Sequence, residues 1–369
     1  MHFGIAELLA RDATVRDLLG PLMSFLDGEG VTEVCVNRPG EVFVEAEASW
    51  KRFEAPQLTM DRCMRLANAI ATFAEQEISP NKPILSAMLP GGERVQVLLA
   101  PVIDNETAIF SIRKPSSTIR SLADYEDEGA FSRFTWAESL QLSNRRGDLA
   151  PLDRELLEAL EQRRLGDFLR LAVRERKNIA VVGETGSGKT TLMKTLCQSI
   201  PKAERLITIE DVRELMIPDH PNRVHLLYSK GQQGVAEVTP ADLIASAMRM
   251  KPDRVLLAEL RGSEAFDYLK LLTTGHAGSI TSYHAESSAL ATERYVFMAK
   301  EHAHAAIYDP PTLKRLIALT IDVIMHVAAR NVYDSTGEPI CKDRYVSDLI
   351  FDPIAKLEAQ FGDAHVHRA

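Results

Sequence analysis

The stretch N-I-A-V-V-G-E-T-G-S-G-K-T-T-L-M, residues 178–193, decides how the rest of the chain is read. Its apolar run Ile179–Val182 has the length and composition of a buried strand, and T-L-M-K-T-L-C after it reads as a helix. Between them lies G-x-x-x-x-G-K-T in the context that gives this pattern meaning, strand before and helix after. The glycines let the backbone turn tightly, so that successive N–H groups face phosphate oxygens, and the helix N-terminus adds partial positive charge. Gly183, Glu184, Thr185, Gly186, Ser187, Gly188, Lys189, Thr190 and Thr191 are therefore the expected nucleotide-binding residues. Lys189 is placed to reach the β- and γ-phosphates, the Thr190 hydroxyl to ligate magnesium, and Thr191 to bond a neighbouring phosphate. ATP and Mg2+ are the expected cofactors.

Hydrolysis needs acids as well as a phosphate cradle. In R-L-I-T-I-E-D-V-R-E, residues 205–214, a strand at Leu206–Ile209 delivers Glu210 and Asp211 to its C-terminal end, the edge where open parallel sheets bind ligands. In V-L-L-A-E-L-R-G, residues 255–262, Ala258 stands where a magnesium-holding aspartate would be expected, with Glu259 directly after it. A magnesium ion already bound by phosphates, Thr190 and water needs only one further carboxylate. Glu259 is the first choice for polarising water and Glu210 the metal-associated acid, and the reverse assignment remains open. In T-T-G-H-A-G-S-I-T-S-Y-H-A, residues 273–285, His276 and His284 bracket a short strand. They are expected to bond the γ-phosphate or to orient the acids.

The N-terminal part has a different pattern. Residues 31–44 alternate apolar and polar around N-R-P-G, a hairpin signal, Met60–Gln76 reads as a helix, and strands follow at 94–99 and 107–112. We expect a small α+β domain over residues 1–114, a linker over 115–150 holding one short helix near 131–142, and an α/β domain over 151–369 with a largely parallel sheet.

Composition narrows the partners. Net charge over the 369 residues is −9, so no overall positive field attracts nucleic acid or anionic lipid, and direct nucleic-acid binding is disfavoured. No signal peptide or membrane-length apolar run is evident. Cys35, Cys63, Cys197 and Cys341 are widely spaced, as expected of reduced thiols in a cytoplasmic protein.

The ordered series G-E-T-G-S-G-K-T, T-I-E-D-V-R-E, L-L-A-E-L-R-G and T-G-H-A-G-S-I-T-S-Y-H-A resembles the Walker A, Asp, degenerate Walker B and His boxes of the type II/type IV secretion ATPase superfamily. Within it the chain looks most like the type IV secretion traffic ATPases, and across the superfamily the Walker B position held here by Ala258 is often small. The resemblance implies a RecA-like C-terminal domain, a separate N-terminal domain, nucleotide between the two, and assembly as a homo-hexamer. It also implies ATP hydrolysis energising export or pilus biogenesis, other apparatus components as partners, and a cytoplasmic location with peripheral contact at the inner membrane. It suggests Arg113, in F-S-I-R-K-P-S, as a γ-phosphate charge stabiliser, with Arg94 as a weaker candidate. A pilus assembly or retraction motor, or a docking switch with negligible turnover, are the alternatives.

Overall fold

The computed structural model describes residues 5–46, 49–115, 119–136, 138–228, 238–337 and 339–361. The chain divides into two compact units. One comprises Met1–Ser117, Ser229–Val238 and Asn331–Lys342; the other comprises Thr118–Tyr228, Thr239–Arg330 and Asp343–Ala369.

The first unit contains α1 (Ile5–Leu26), β1 (Val31–Val36), β2 (Gly40–Ala46), β3 (Ser49–Ala55), α2 (Met60–Phe73), β4 (Ile84–Met88), β5 (Arg94–Leu99) and β6 (Ala108–Arg113). Its strands form an antiparallel sheet in the order β3-β2-β1-β6-β5-β4. Alternation sets the core face: Val34, Val36, Val95, Val97, Leu99, Phe110 and Ile112 are buried. Cys63, Leu66, Ala67, Ile70 and Ala71 of α2 join that core, and the Thr59 hydroxyl caps the helix by accepting from the Arg62 N–H. At one end of the sheet Arg113 stands in register between Glu33 of β1 and Arg94 of β5.

The second unit begins with α3 (Leu122–Asp127), β7 (Thr135–Trp136), α4 (Leu140–Asn144), α5 (Pro151–Glu161) and α6 (Leu165–Arg174). It continues with β8 (Ile179–Val182), α7 (Lys189–Cys197), β9 (Leu206–Glu210), β10 (Arg223–Leu227), α8 (Pro240–Met248), β11 (Arg254–Leu257) and α9 (Glu264–Thr273). It ends with β12 (Ile280–Tyr283), α10 (Ser288–Lys300), α11 (Pro310–Thr320), β13 (Val323–Tyr333), β14 (Pro339–Ile350) and α12 (Pro353–Phe361), Asn331–Tyr333 of β13 and Pro339–Lys342 of β14 being grouped with the first unit. The sheet order is β10-β9-β11-β12-β8-β13-β14-β7. From β10 to β13 every pairing is parallel, as the alternation of helix and strand predicts.

β8 is central, between β12 and β13. Asn178 fixes its start: its Oδ1 accepts the N–H groups of Gly278 and Ser279, its Nδ2 donates to the Thr320 carbonyl, and its own N–H donates to Asp322. Asn178 thus aligns the entries of β8, β12 and β13.

Residues 119–150 are not a linker. α3, β7 and α4 belong to the second unit, and Leu122, Tyr125, Phe131, Phe134, Leu142 and Leu149 lie in its core. β7 pairs with β14, Thr135 opposite Asp348 and Trp136 opposite Leu349. Where one helix is expected near 131–142, the chain forms β7 and the start of α4, with α3 lying before them. Elements of two to six residues are too short to carry a hydrophobic period, which is why the stretch resembles loop.

Candidate functional site

Because β8, β9, β11 and β12 run in one direction, their C-terminal ends open on one edge of the sheet. β8 feeds the loop 183–188 there, β9 ends in Glu210, β11 leads to Ala258 and Glu259, and β12 leads to His284.

The loop has the backbone that a phosphate cradle needs. Gly186 and Gly188 have φ of 76° and 98°, conformations that favour glycine. At Gly183 the constraint is space, since a Cβ would lie 2.3 Å from the Val327 carbonyl oxygen and 2.7 Å from Ser187 Oγ. α7 starts at Lys189 with no side chain capping its N–H groups. Ser187 is buried, and its hydroxyl has no hydrogen-bond partner among the described residues. A helix start without a side-chain cap and an orphaned hydroxyl around a tight loop fit a bound anion.

Lys189 is 7% exposed, and its ammonium donates to the carbonyls of Gly183 at 2.9 Å and Glu184 at 2.8 Å. It also lies 3.4 Å from His284 Nδ1. On the far side of the same ring, Nε2 is 2.9 Å from Glu259 Oε1. Burial, followed by the charges of Lys189 and Arg261, holds the His284 pKa below its ordinary value. Nε2 faces Glu259 and Nδ1 faces Lys189, so a neutral ring carrying its proton on Nε2 donates to Glu259 and accepts from Lys189.

The other oxygen of Glu259 accepts from Arg261, whose Nε is 2.7 Å away, and Arg261 also lies 3.2 Å from Asp211. Lys189, His284, Glu259, Arg261 and Asp211 therefore form one continuous line of polar contacts. Arg261 was not singled out from sequence. Its signal was position, two residues after Glu259 as the chain leaves β11.

Glu210 is placed differently. It is buried, and its Oε2 accepts the N–H groups of Glu214 at 2.8 Å and Leu215 at 2.7 Å. Its Oε1 accepts from the Thr208 hydroxyl at 2.7 Å. This carboxylate anchors the turn after β9 and does not join the line running from Lys189 to Asp211. His276 departs from expectation as well. It precedes β12, whose first neighbours lie at the start of β8, and its Nδ1 contacts the Thr274 hydroxyl at 3.2 Å. Four strand residues span roughly 13 Å, so the two histidines stand at opposite edges of the sheet. Arg113 belongs to the first unit.

Among the described residues, no group of three or more His, Cys, Asp or Glu side chains is placed to hold a metal ion. The donor set suits a hard cation that takes most ligands from phosphate and water, with Thr190 at the first turn of α7 as the protein's oxygen. A cavity of about 640 Å³ adjoins the loop, lined by Gly183, Glu184, His284, Glu286 and Arg294 among others. No helix among the described residues is long and apolar enough to cross a membrane.

Residues 136–356 match the family described as "Type II/IV secretion system protein". The chain is 44% identical over 348 residues to "Type IV secretion system protein VirB11" of Brucella suis biovar 1, covering 94% of this chain and 92% of that one. It is 40% identical over 321 residues to "Type IV secretion system protein PtlH" of Bordetella pertussis, covering 87% and 92%. Among solved structures, the VirB11 ATPase from the Brucella suis type IV secretion system in complex with sulphate is 43% identical, with TM-score 0.52 and coverage of 96% and 98%. The Legionella pneumophila ATPase DotB shares the fold at 15% identity, with TM-score 0.54 and coverage of 96% and 85%.

Proposed function

Because this chain belongs to the type II/IV secretion system protein family, we propose that residues 183–191 are the site at which it, as a type IV secretion ATPase, binds and hydrolyses ATP. The observation that carries the reading is the seat of Lys189, 3.4 Å from a histidine that itself lies 2.9 Å from Glu259.

Each residue takes a part from its position. The N–H groups of the loop and of the first turn of α7 hold phosphate, with Lys189 exchanging its carbonyl partners for phosphate oxygens. Thr190 supplies an oxygen to magnesium and Thr191 bonds a neighbouring phosphate. When bound, Mg2+ neutralises charge on the phosphates. Glu259 orients and polarises water, held by Arg261 on one oxygen and His284 on the other. His284 couples the position of Lys189 to that of Glu259. Glu259 is preferred to Glu210 because three donors already engage the Glu210 oxygens. Arg113 is the proposed charge stabiliser.

The working form is a homo-hexamer at the cytoplasmic face of the inner membrane, partnered by other components of the secretion apparatus. Phosphate release by the wild type beside Lys189→Ala and Glu259→Gln tests the site, and full turnover in Lys189→Ala would overturn it. Negligible turnover by the wild type would favour a docking switch. Light scattering with Mg2+ and a nonhydrolysable ATP analogue tests the hexamer, and a monomer or dimer at every concentration would refute it.

A further inference from the structure

The outer limb of the loop carries a cation that neither the motifs nor the hydrolytic line uses. Arg344, an exposed residue of β14, donates from Nε to the Gly186 carbonyl at 3.1 Å. Its Cδ lies 3.1 Å from where a Gly188 Cβ would stand, so the side chain lies flat along Gly186–Gly188, directly before α7 begins. Only one guanidinium nitrogen is used in that hydrogen bond, and among the described residues Arg344 forms no ion pair.

Its neighbours differ. Arg120 pairs with Glu128 and stacks over the Tyr125 ring, while Arg133 and Arg330 both pair with Asp343. An arginine held by one atom beside an anion cradle, with no carboxylate to neutralise it, has its terminal donors available to an anionic ligand.

We propose that Arg344 is a nucleotide-contacting residue, bonding the α-phosphate or ribose side of a bound nucleoside diphosphate or triphosphate from outside the loop. This inference rests on the reading of residues 183–191 as the nucleotide cradle. Lys189 enters the cradle from the sheet, against Gly183, Glu184 and His284, whereas Arg344 lies on the other limb, against Gly186 and Gly188. The two cations therefore serve different parts of an elongated ligand, Lys189 the terminal phosphates and Arg344 the part nearer the nucleoside.

The test is a pair of binding measurements by titration calorimetry on the full chain, with Mg-ADP and with inorganic phosphate, a single phosphate with neither the nucleoside nor a second phosphate beside it. For Arg344→Gln, which keeps a donor for the Gly186 carbonyl and removes the charge, we expect ADP affinity about 10-fold weaker and inorganic phosphate affinity within about 2-fold of wild type. Arg344→Lys should recover part of the ADP loss. Equal weakening of both ligands would show that Arg344 only props the loop, and no change in either would show that it makes no contact. Both results overturn the proposal. If Lys189→Ala binds both ligands like the wild type, the cradle reading itself fails, an outcome separable from any behaviour of the Arg344 variants.

Discussion

His284 Nε2 lies 2.9 Å from Glu259 Oε1 while Nδ1 of the same ring lies 3.4 Å from the Lys189 ammonium. A single imidazole thus joins Lys189, the first residue of α7, to the acid at the end of the neighbouring strand. This works in the neutral ring, where Nδ1 offers a lone pair to an ammonium; a protonated ring would present Lys189 with a second positive charge.

That requirement has a pH signature. The folded-state pKa of His284 is lowered from 6.5, so below 6.5 the unfolded chain binds the proton more readily than the folded one. The stabilising contribution of the neutral ring is present above pH 6.5 and is lost as pH falls below it. Phosphate release and Mg-ADP binding are expected to decline on the acid side, and His284→Asn should remove that limb from the pH profile. An unchanged acid limb in the variant would assign it to another group.

Glu259→Gln should reduce turnover by about 100-fold or more while leaving ATP affinity within a few-fold, because the proposed role of this residue is on water and not on the cradle. Arg261→Ala frees one Glu259 oxygen and should cost turnover about 10-fold with little change in KM. Steady-state kinetics on both variants checks this.

Glu210→Ala should behave as a stability mutant. Removing the carboxylate leaves the part-buried N–H of Glu214, the buried N–H of Leu215 and the Thr208 hydroxyl without their acceptor. The expected loss is about 2–4 kcal/mol, read by denaturant unfolding. Glu259→Gln should unfold like the wild type.

Gly183→Ala should impair both folding and nucleotide binding. Its Cβ would lie 2.3 Å from a backbone carbonyl that cannot move without shifting β13. The expected destabilisation is about 1–3 kcal/mol, together with ADP binding weakened by at least 10-fold.

His276→Ala should bind Mg-ADP with wild-type affinity, whereas His284→Ala should not. Matching losses in the two variants would contradict their placement at opposite ends of β12.

Strong local signals were legible before the structure. The strand-loop-helix at 179–197 and the strands at 94–99, 179–182 and 206–209 declare themselves through periodicity and glycine spacing, because both are properties of consecutive residues. The long helix α1, the edge strands β3, β4 and β10 and the β13–β14 pair were not read, since their registers depend on neighbours distant in the chain. Residues 119–150 were misread for a related reason, their apolar groups being buried by β14 and the helices α5 and α6 instead of by a pattern of their own.

The sequence by itself determined the chemistry on offer: a phosphate cradle, acids at strand ends and a histidine after β12, in an order that parallel strands bring to one edge. Only the tertiary structure decided which side chains meet there. Hydrogen bonding to the turn at 214–215 holds Glu210 away from the line that includes Glu259, and the direction of β12 delivers His284 to the site while leaving His276 at the opposite edge. Arg261 and Arg344 enter through contacts with Glu259 and Gly186. Of these, the pairing of Gly186 with Arg344, 158 positions apart, follows no local period and exists only once the sheet has closed.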